Sequence, residues 1–356
     1  MVVLRGKEHS LYELPACARS GNIAIINADI ANMPNVAILL PEQYIASGAC
    51  SAADMLQLAN RLCGRTLFAW RFFSRDGAPA RSSSSILLPA SGRYADALPA
   101  DVLLVAGIGY ASLAKLERQL DQETELCAVL QAANCQGRWL GSYCTGTTFL
   151  AQAGVLAGRQ ATTSWWLGKW FRERYPAVQL QPHAMLCKAG HVLTAGATTS
   201  CLELMLQLIR EKGGEDLALE CARILLLDAR RDSQAPYAGL QQFSGHDDPL
   251  VCRAQHWLQQ QLAQPFSLEL LASATHSSGR TLIWHFRSAL GVTPLQYLQK
   301  LRLQHACRQL QHGDATIEQI VAECGYEDLS AFRRLFKREM SCTPAEYRSR
   351  FARHDA

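Results

Sequence analysis

A helical unit occurs twice between residues 267 and 347, displaced by 50 positions. Leu270, Leu271 and Ala272 answer to Ile320, Val321 and Ala322, and Leu282, Phe286 and Arg287 answer to Phe332, Phe336 and Lys337. The register closes with Thr293-Pro294 against Thr343-Pro344 and Tyr297 against Tyr347. A repeat of this kind means one supersecondary unit built twice, which excludes most other readings of the last third of the chain.

Each copy reads as helix–turn–helix. In the second, Thr316-Ile-Glu-Gln319 is a capping box. Gly325 supplies a tight turn, where a residue without Cβ reaches positive φ cheaply. Leu329, Phe332, Phe336 and Met340 form an inward stripe over a helix at 328–340, which leaves Ser330, Arg333, Arg334 and Lys337 facing out. In the first copy a helix at 267–274 precedes one at 278–290, with Arg280, Ile283, Trp284 and Arg287 outward. An exposed basic helix is what the DNA major groove accepts. The helix from Pro294 to about residue 311 joins the copies and spans roughly 27 Å, near the 34 Å of one DNA turn. The two units are therefore set at about 267–290 and 316–340, within a region 249–356.

Charge agrees. Of 35 Lys+Arg and 31 Asp+Glu, residues 251–356 hold 13 and 9, which leaves 22 of each elsewhere; the whole excess of four lies on the last third. These stretches, Ile317-Glu-Gln-Ile-Val-Ala-Glu-Cys-Gly-Tyr326, Phe332-Arg-Arg-Leu-Phe-Lys-Arg338 and Thr343-Pro-Ala-Glu-Tyr-Arg348, resemble the AraC/XylS class of DNA-binding domain. The resemblance implies a transcription regulator that binds double-stranded promoter DNA through both heads, with RNA polymerase a candidate partner. Many relatives carry Arg where this chain has Trp284.

The rest of the chain is of another kind. With 49% hydrophobic residues it can bury a sizeable core. Short apolar runs at 36–40, 67–73, 86–88 and 102–106 suit buried strands. They alternate with helical stretches at 51–63, 111–134, 146–154, 164–174, 198–212 and 215–227, predicting a three-layer, flavodoxin-like α/β domain over 35–227. Residues 1–34 read as an extension of unclear structure, and the polar segment 228–248 as a linker. No apolar run approaches the roughly 20 residues that cross a bilayer, and the N-terminus lacks a signal-peptide pattern, so a cytoplasmic protein with no membrane partner is expected. The 13 cysteines show no paired spacing, which predicts reduced thiols; no metal site and no cofactor are expected.

Within Arg138-Trp-Leu-Gly-Ser-Tyr-Cys-Thr-Gly-Thr147, Cys144 sits at a strand–turn–helix bend with small residues on either side, as a nucleophile elbow requires. Two readings stand side by side: a thiol nucleophile with an oxyanion site near Gly107, and a small buried cysteine at a helix start. The wider pattern resembles ThiJ/PfpI-like, class I glutamine amidotransferase-like domains. It rests on Val36–Leu40, Asp54-Met-Leu, Leu103-Leu-Val-Ala-Gly107, Tyr143-Cys-Thr-Gly146 and Gly158-Arg-Gln-Ala-Thr-Thr-Ser-Trp165. Joined to the DNA-binding domain, it implies a sensor of a small-molecule effector that sets homodimerisation through the N-terminal domain.

Active relatives commonly carry a histidine where this chain has Ser164 or Thr145, and a carboxylate where it has Gly48. The domain is therefore expected to be no enzyme, with Cys144, Thr145, Ser164, Trp165 and Gly107 lining an inherited pocket. The rival readings are a thiol-dependent hydrolase, amidase or glyoxalase-like enzyme that uses Cys144, with His183 or His191 as base, and a redox sensor based on the same thiol.

Overall fold

The computed structural model describes residues 33–227, 231–243, 246–313 and 315–352. The expected extension at 1–34 lies, apart from Met33 and Pro34, outside the described residues.

A six-stranded sheet contains β1 (Asn35–Leu39), β2 (Ala69–Phe73), β5 (Val102–Val105), β6 (Trp139–Tyr143), β9 (Leu186–Ala189) and β10 (Val192–Ala195), in the order β2-β1-β5-β6-β10-β9. Two small ribbons, β3 (Ala80–Arg81) with β4 (Leu87–Leu88) and β7 (Gln160–Ala161) with β8 (Gln179–Leu180), lie outside it. All pairings in the main sheet are parallel except β9 against β10. The apolar runs are continuous because both faces are covered. Val36, Ile38, Val102 and Leu104 face α1 (Ala46–Cys63), α6 (Cys201–Gly213) and α7 (Glu215–Ile224). Ala37, Leu39, Leu103 and Val105 face α2 (Leu113–Gln122), α3 (Thr124–Cys135), α4 (Thr147–Gln152) and α5 (Gly168–Arg174). This is the expected flavodoxin-like, three-layer α/β arrangement.

The single helix expected over 111–134 is two, broken at Glu123 (φ −90°, ψ 45°). There the carboxylate turns inward to meet Arg75 at 2.7 Å and is almost fully buried. Burial pushes its pKa up against the opposing pull of Arg75. The hairpin β9–β10 had no clear mark in the sequence, since Lys188 and Gly190 interrupt its apolar pattern.

The remainder is helical: α8 (Pro249–Gln260), α9 (Leu268–Ala274), α10 (Gly279–Leu290), α11 (Pro294–His312), α12 (Ile317–Glu323), α13 (Leu329–Met340) and α14 (Pro344–Phe351). Capping boxes start α11, α12 and α14, at Thr293, Thr316 and Thr343. Two separate cores form. Leu271, Leu282, Phe286 and Leu290 pack with α8 and the first half of α11, whereas Ile320, Val321, Phe332, Leu335 and Phe336 pack with its second half and α14.

One detail of the repeat needs correction. Leu270 is 61% exposed whereas Ile320 is 1% exposed, so these two are not equivalent. In the first helix the structural shift is 49: the caps are Ser267 and Thr316, and Leu271 and Ala272 match Ile320 and Val321. The extra residue lies in the second turn, and from the caps Ser278 and Asp328 onward the shift is 50. The turns also solve the backbone differently. His276 takes φ 52° in the first, while Gly325 takes φ 73° in the second, where a Cβ would lie 2.3 Å from the Ala263 carbonyl oxygen.

Candidate nucleic-acid interface and elbow site

Helices α10 and α13 each bury one stripe and expose the other. On α10, Arg280, Trp284 and Arg287 are exposed and Ile283 is half-buried. Trp284, at 64% exposure, stands edge-on to His285 with ring centroids 4.9 Å apart. His285 Nδ1 in turn lies 2.5 Å from Asp248 Oδ2, and Asp248 also caps α8, so α10 is fastened to the start of the helical region. On α13, Ser330, Arg333, Arg334 and Lys337 are all exposed. Arg333 reaches Glu318 at 3.7 Å and Arg334 reaches Asp328 at 4.0 Å, both open surface pairs that phosphate could displace at little cost.

A residue with no sequence signal sets the relation between the heads. Arg302, in the middle of α11, is buried. It donates to the carbonyls of Leu262 (2.8 Å) and Gln264 (2.6 Å) behind α8, and its guanidinium lies 5.1 Å from the Tyr326 ring in the second unit. One buried cation thus touches both cores, and its hydrogen bonds to carbonyls offset the cost of desolvation.

At the elbow, Cys144 follows β6 and adopts φ 56°, a strained left-handed conformation for a residue with a side chain. Its N–H donates to the Gly196 carbonyl (2.6 Å), and its carbonyl accepts from Thr163 Oγ1 (2.8 Å). Among the described residues, its sulfur accepts from two hydroxyls, Ser164 at 3.1 Å and Thr198 at 3.5 Å. Thr145 is committed elsewhere: its hydroxyl accepts from Ile108 N (2.6 Å) and donates to Ile108 O (2.7 Å). A Cβ on Gly107 would come within 3.0 Å of Cys144 Cβ, which is why the loop can approach so closely. Cys144, Thr145 and Ser164 are all buried, and Trp165 is half-buried against Trp166. Of the five expected residues, Thr145 spends its hydroxyl on the Ile108 backbone, and Gly107 lies against the Cys144 side chain.

Gly48 has a physical reason to be glycine. A Cβ there would lie 2.4 Å from the Tyr143 ring and 2.6 Å from its hydroxyl oxygen. The space in which a carboxylate side chain would approach the elbow is filled by Tyr143. The ring of His191 is engaged away from the sulfur, whereas the His183 Nδ1 is buried without a hydrogen-bond partner. His191 Nε2 meets Asn134 at 3.1 Å, and the His183 carbonyl accepts from Gln234 N at 2.7 Å.

Gln234 was hidden in a stretch that reads as plain linker. Its side chain, 2% exposed, enters the α/β region. There Nε2 donates to the carbonyls of Thr163 (2.9 Å) and Ala184 (3.0 Å), and Oε1 accepts from Ala197 N (3.0 Å). Thr163 and Gly196 are the residues that hold the Cys144 backbone, so the 231–243 segment is one residue removed from the elbow. Lys169 of α5 makes a second link, donating from Nζ to the Ala289 carbonyl in the last turn of α10. A cation there favours the helix dipole. Neither residue belongs to a motif, and only spatial assembly identifies them.

The helix-turn-helix domain family matches residues 271–350, and the DJ-1/PfpI family matches residues 76–211. Among known proteins, the HTH-type transcriptional regulator GbdR of Pseudomonas aeruginosa is 26% identical over 319 residues, covering 89% of this chain and 84% of that protein. The HTH-type transcriptional regulator CdhR of the same species is 28% identical over 314 residues, covering 88% and 90%. The HTH-type transcriptional regulator GlxA of Rhizobium meliloti is 26% identical over 327 residues, covering 91% and 98%. With both domains present and in the same order, the chain belongs to the AraC family of DNA-binding transcription regulators that carry a DJ-1/PfpI domain.

Proposed function

We propose that this regulator responds to a small-molecule effector through an α/β region, residues 35–227, that performs no catalysis, and that segment 228–248 carries the response to a DNA-reading region at 249–356. The observation that carries the reading is Gln234: a linker side chain hydrogen-bonded to the carbonyl of Thr163, whose hydroxyl in turn holds Cys144. A shift at the elbow reaches the linker without passing through solvent. Arg280, Ile283, Trp284 and Arg287 of the first head and Ser330, Arg333, Arg334 and Lys337 of the second are the proposed DNA contacts. Cys144, Thr145, Ser164, Trp165 and Gly107 are the proposed surroundings of the effector. The chain acts in the cytoplasm as a homodimer through its N-terminal region, next to RNA polymerase.

The strained backbone at Cys144 favours one rival, a thiol enzyme. Against it stand the sulfur's two hydroxyl partners: Ser164 and Thr198 cannot take up a proton near neutral pH as a general base must. The test combines two measurements on wild type and Cys144→Ala: ammonia release from glutamine and consumption of methylglyoxal, beside a promoter–reporter assay. The reading expects no turnover by either protein and a reporter still controlled by the variant. Turnover that disappears with Cys144 would replace it with the enzyme.

A further inference from the structure

An open cleft of about 340 Å³ lies away from the elbow, between segment 231–243, the loop at His183 and the second helix–turn–helix unit. That volume falls within the roughly 300–1,000 Å³ usual for small-molecule sites. One wall is aromatic: Tyr237 and Phe351 meet edge to face with centroids 5.4 Å apart. The other wall is charged. Lys300 and Glu339 pair at 3.4 Å, and Glu339 is also held by Arg338, so its charge is spent locally. Arg308, one turn of α11 beyond Gln304, is exposed and has no ion-pair partner among the described residues. Lys300 and Arg308 against Glu339 leave one net positive charge.

His183 adds a polar residue to the lining. Its Nδ1 is buried without a hydrogen-bond partner, although the backbone on either side is pinned to segment 231–243. Burial, and then the charge of Lys300, holds its pKa below the usual range, so the ring is neutral near pH 7. A neutral imidazole adds no charge of its own to the cleft, so the positive excess there comes from the lysine and arginine side chains.

We propose that this cleft binds a small organic anion with an apolar body, specifically a monocarboxylate bearing an aromatic ring. Arg308 takes the carboxylate, and Tyr237 and Phe351 take the ring. The proposal rests on the reading that the protein answers to a small molecule, but not on the elbow as the place where it binds. Its position has a consequence, because Glu339 and Met340 of the cleft are the last turn of α13, the second reading helix.

Isothermal titration of the full chain tests it with phenylacetate, with phenylacetamide as the probe without charge and acetate as the probe without a ring. Saturable binding is expected for phenylacetate alone. It should weaken by about tenfold or more in Arg308→Ala, as for loss of a charged hydrogen bond. It should vanish in Ala238→Trp, which fills the cleft, and remain in Cys144→Ala. Because Arg308 is exposed, its variant keeps the fold even if the tryptophan variant does not. No saturable phenylacetate binding, or equal binding of either control probe, overturns the proposal. So does binding kept in Arg308→Ala and lost in Cys144→Ala, an outcome that places the anion at the elbow and leaves the sensing reading standing.

Discussion

Gln234 shows what a single side chain can decide in this molecule. All its polar capacity is spent inside the α/β region, and the chain makes room for it: a Cβ on Gly196 would lie 2.2 Å from the Gln234 amide carbon. Gln234→Ala therefore leaves the Ala197 N–H and at least one buried carbonyl without partners. The expected loss is about 1–3 kcal/mol in urea unfolding, the usual cost of a buried group left unmade. A change within error would mean that the linker is not anchored there. At this scale the sequence was informative where chemistry is repeated or shaped, and silent where it is assembled. Cys144 was visible because an elbow needs small neighbours on both sides. Gln234, Lys169, Arg302 and Thr198 were not, since each draws its meaning from a carbonyl or sulfur more than 30 positions away.

Among the elements, the second reading helix is the clearest in both sequence and structure. A stripe of Phe332, Leu335 and Phe336 fixes which side is buried, and everything basic is left on the other. The first helix of each unit was less legible. A short apolar run such as Leu270-Leu-Ala can be slid by one position without changing its look, and only the packed core shows that Leu270 faces out. Because Arg334 and Lys337 are exposed, substituting both by alanine should leave the fold intact. It should lower the slope of log affinity against log salt by about two, one for each lost phosphate contact. Fluorescence anisotropy on a DNA site selected from a random pool measures it. An unchanged slope would remove α13 from the phosphate contacts.

For the molecule as a whole, two cores on one continuous helix are the arrangement that matters. Helix α11 runs from Pro294 to His312, contributes Leu298 and Leu301 to the first core and Leu303, Ala306 and Leu310 to the second, and carries Arg302 between them. At about 1.5 Å per residue it is roughly 28 Å long. A rod of that length, fixed at its middle by a buried cation, holds two reading helices at a set spacing. The repeat announced both heads, and the charge excess on the last third announced their partner. The fastening of the heads to the α/β region was not announced, because it depends on Lys169 and Gln234 meeting backbone atoms of other elements. The central claim is that both heads read DNA together. Hydroxyl-radical footprinting of the full chain on its selected site tests this most directly. Two protected segments on one face of the duplex, about one helical turn or roughly 10 base pairs apart, are predicted for each chain bound. A single protected segment per chain, unaltered when Arg280 and Arg287 are replaced by alanine, would contradict it.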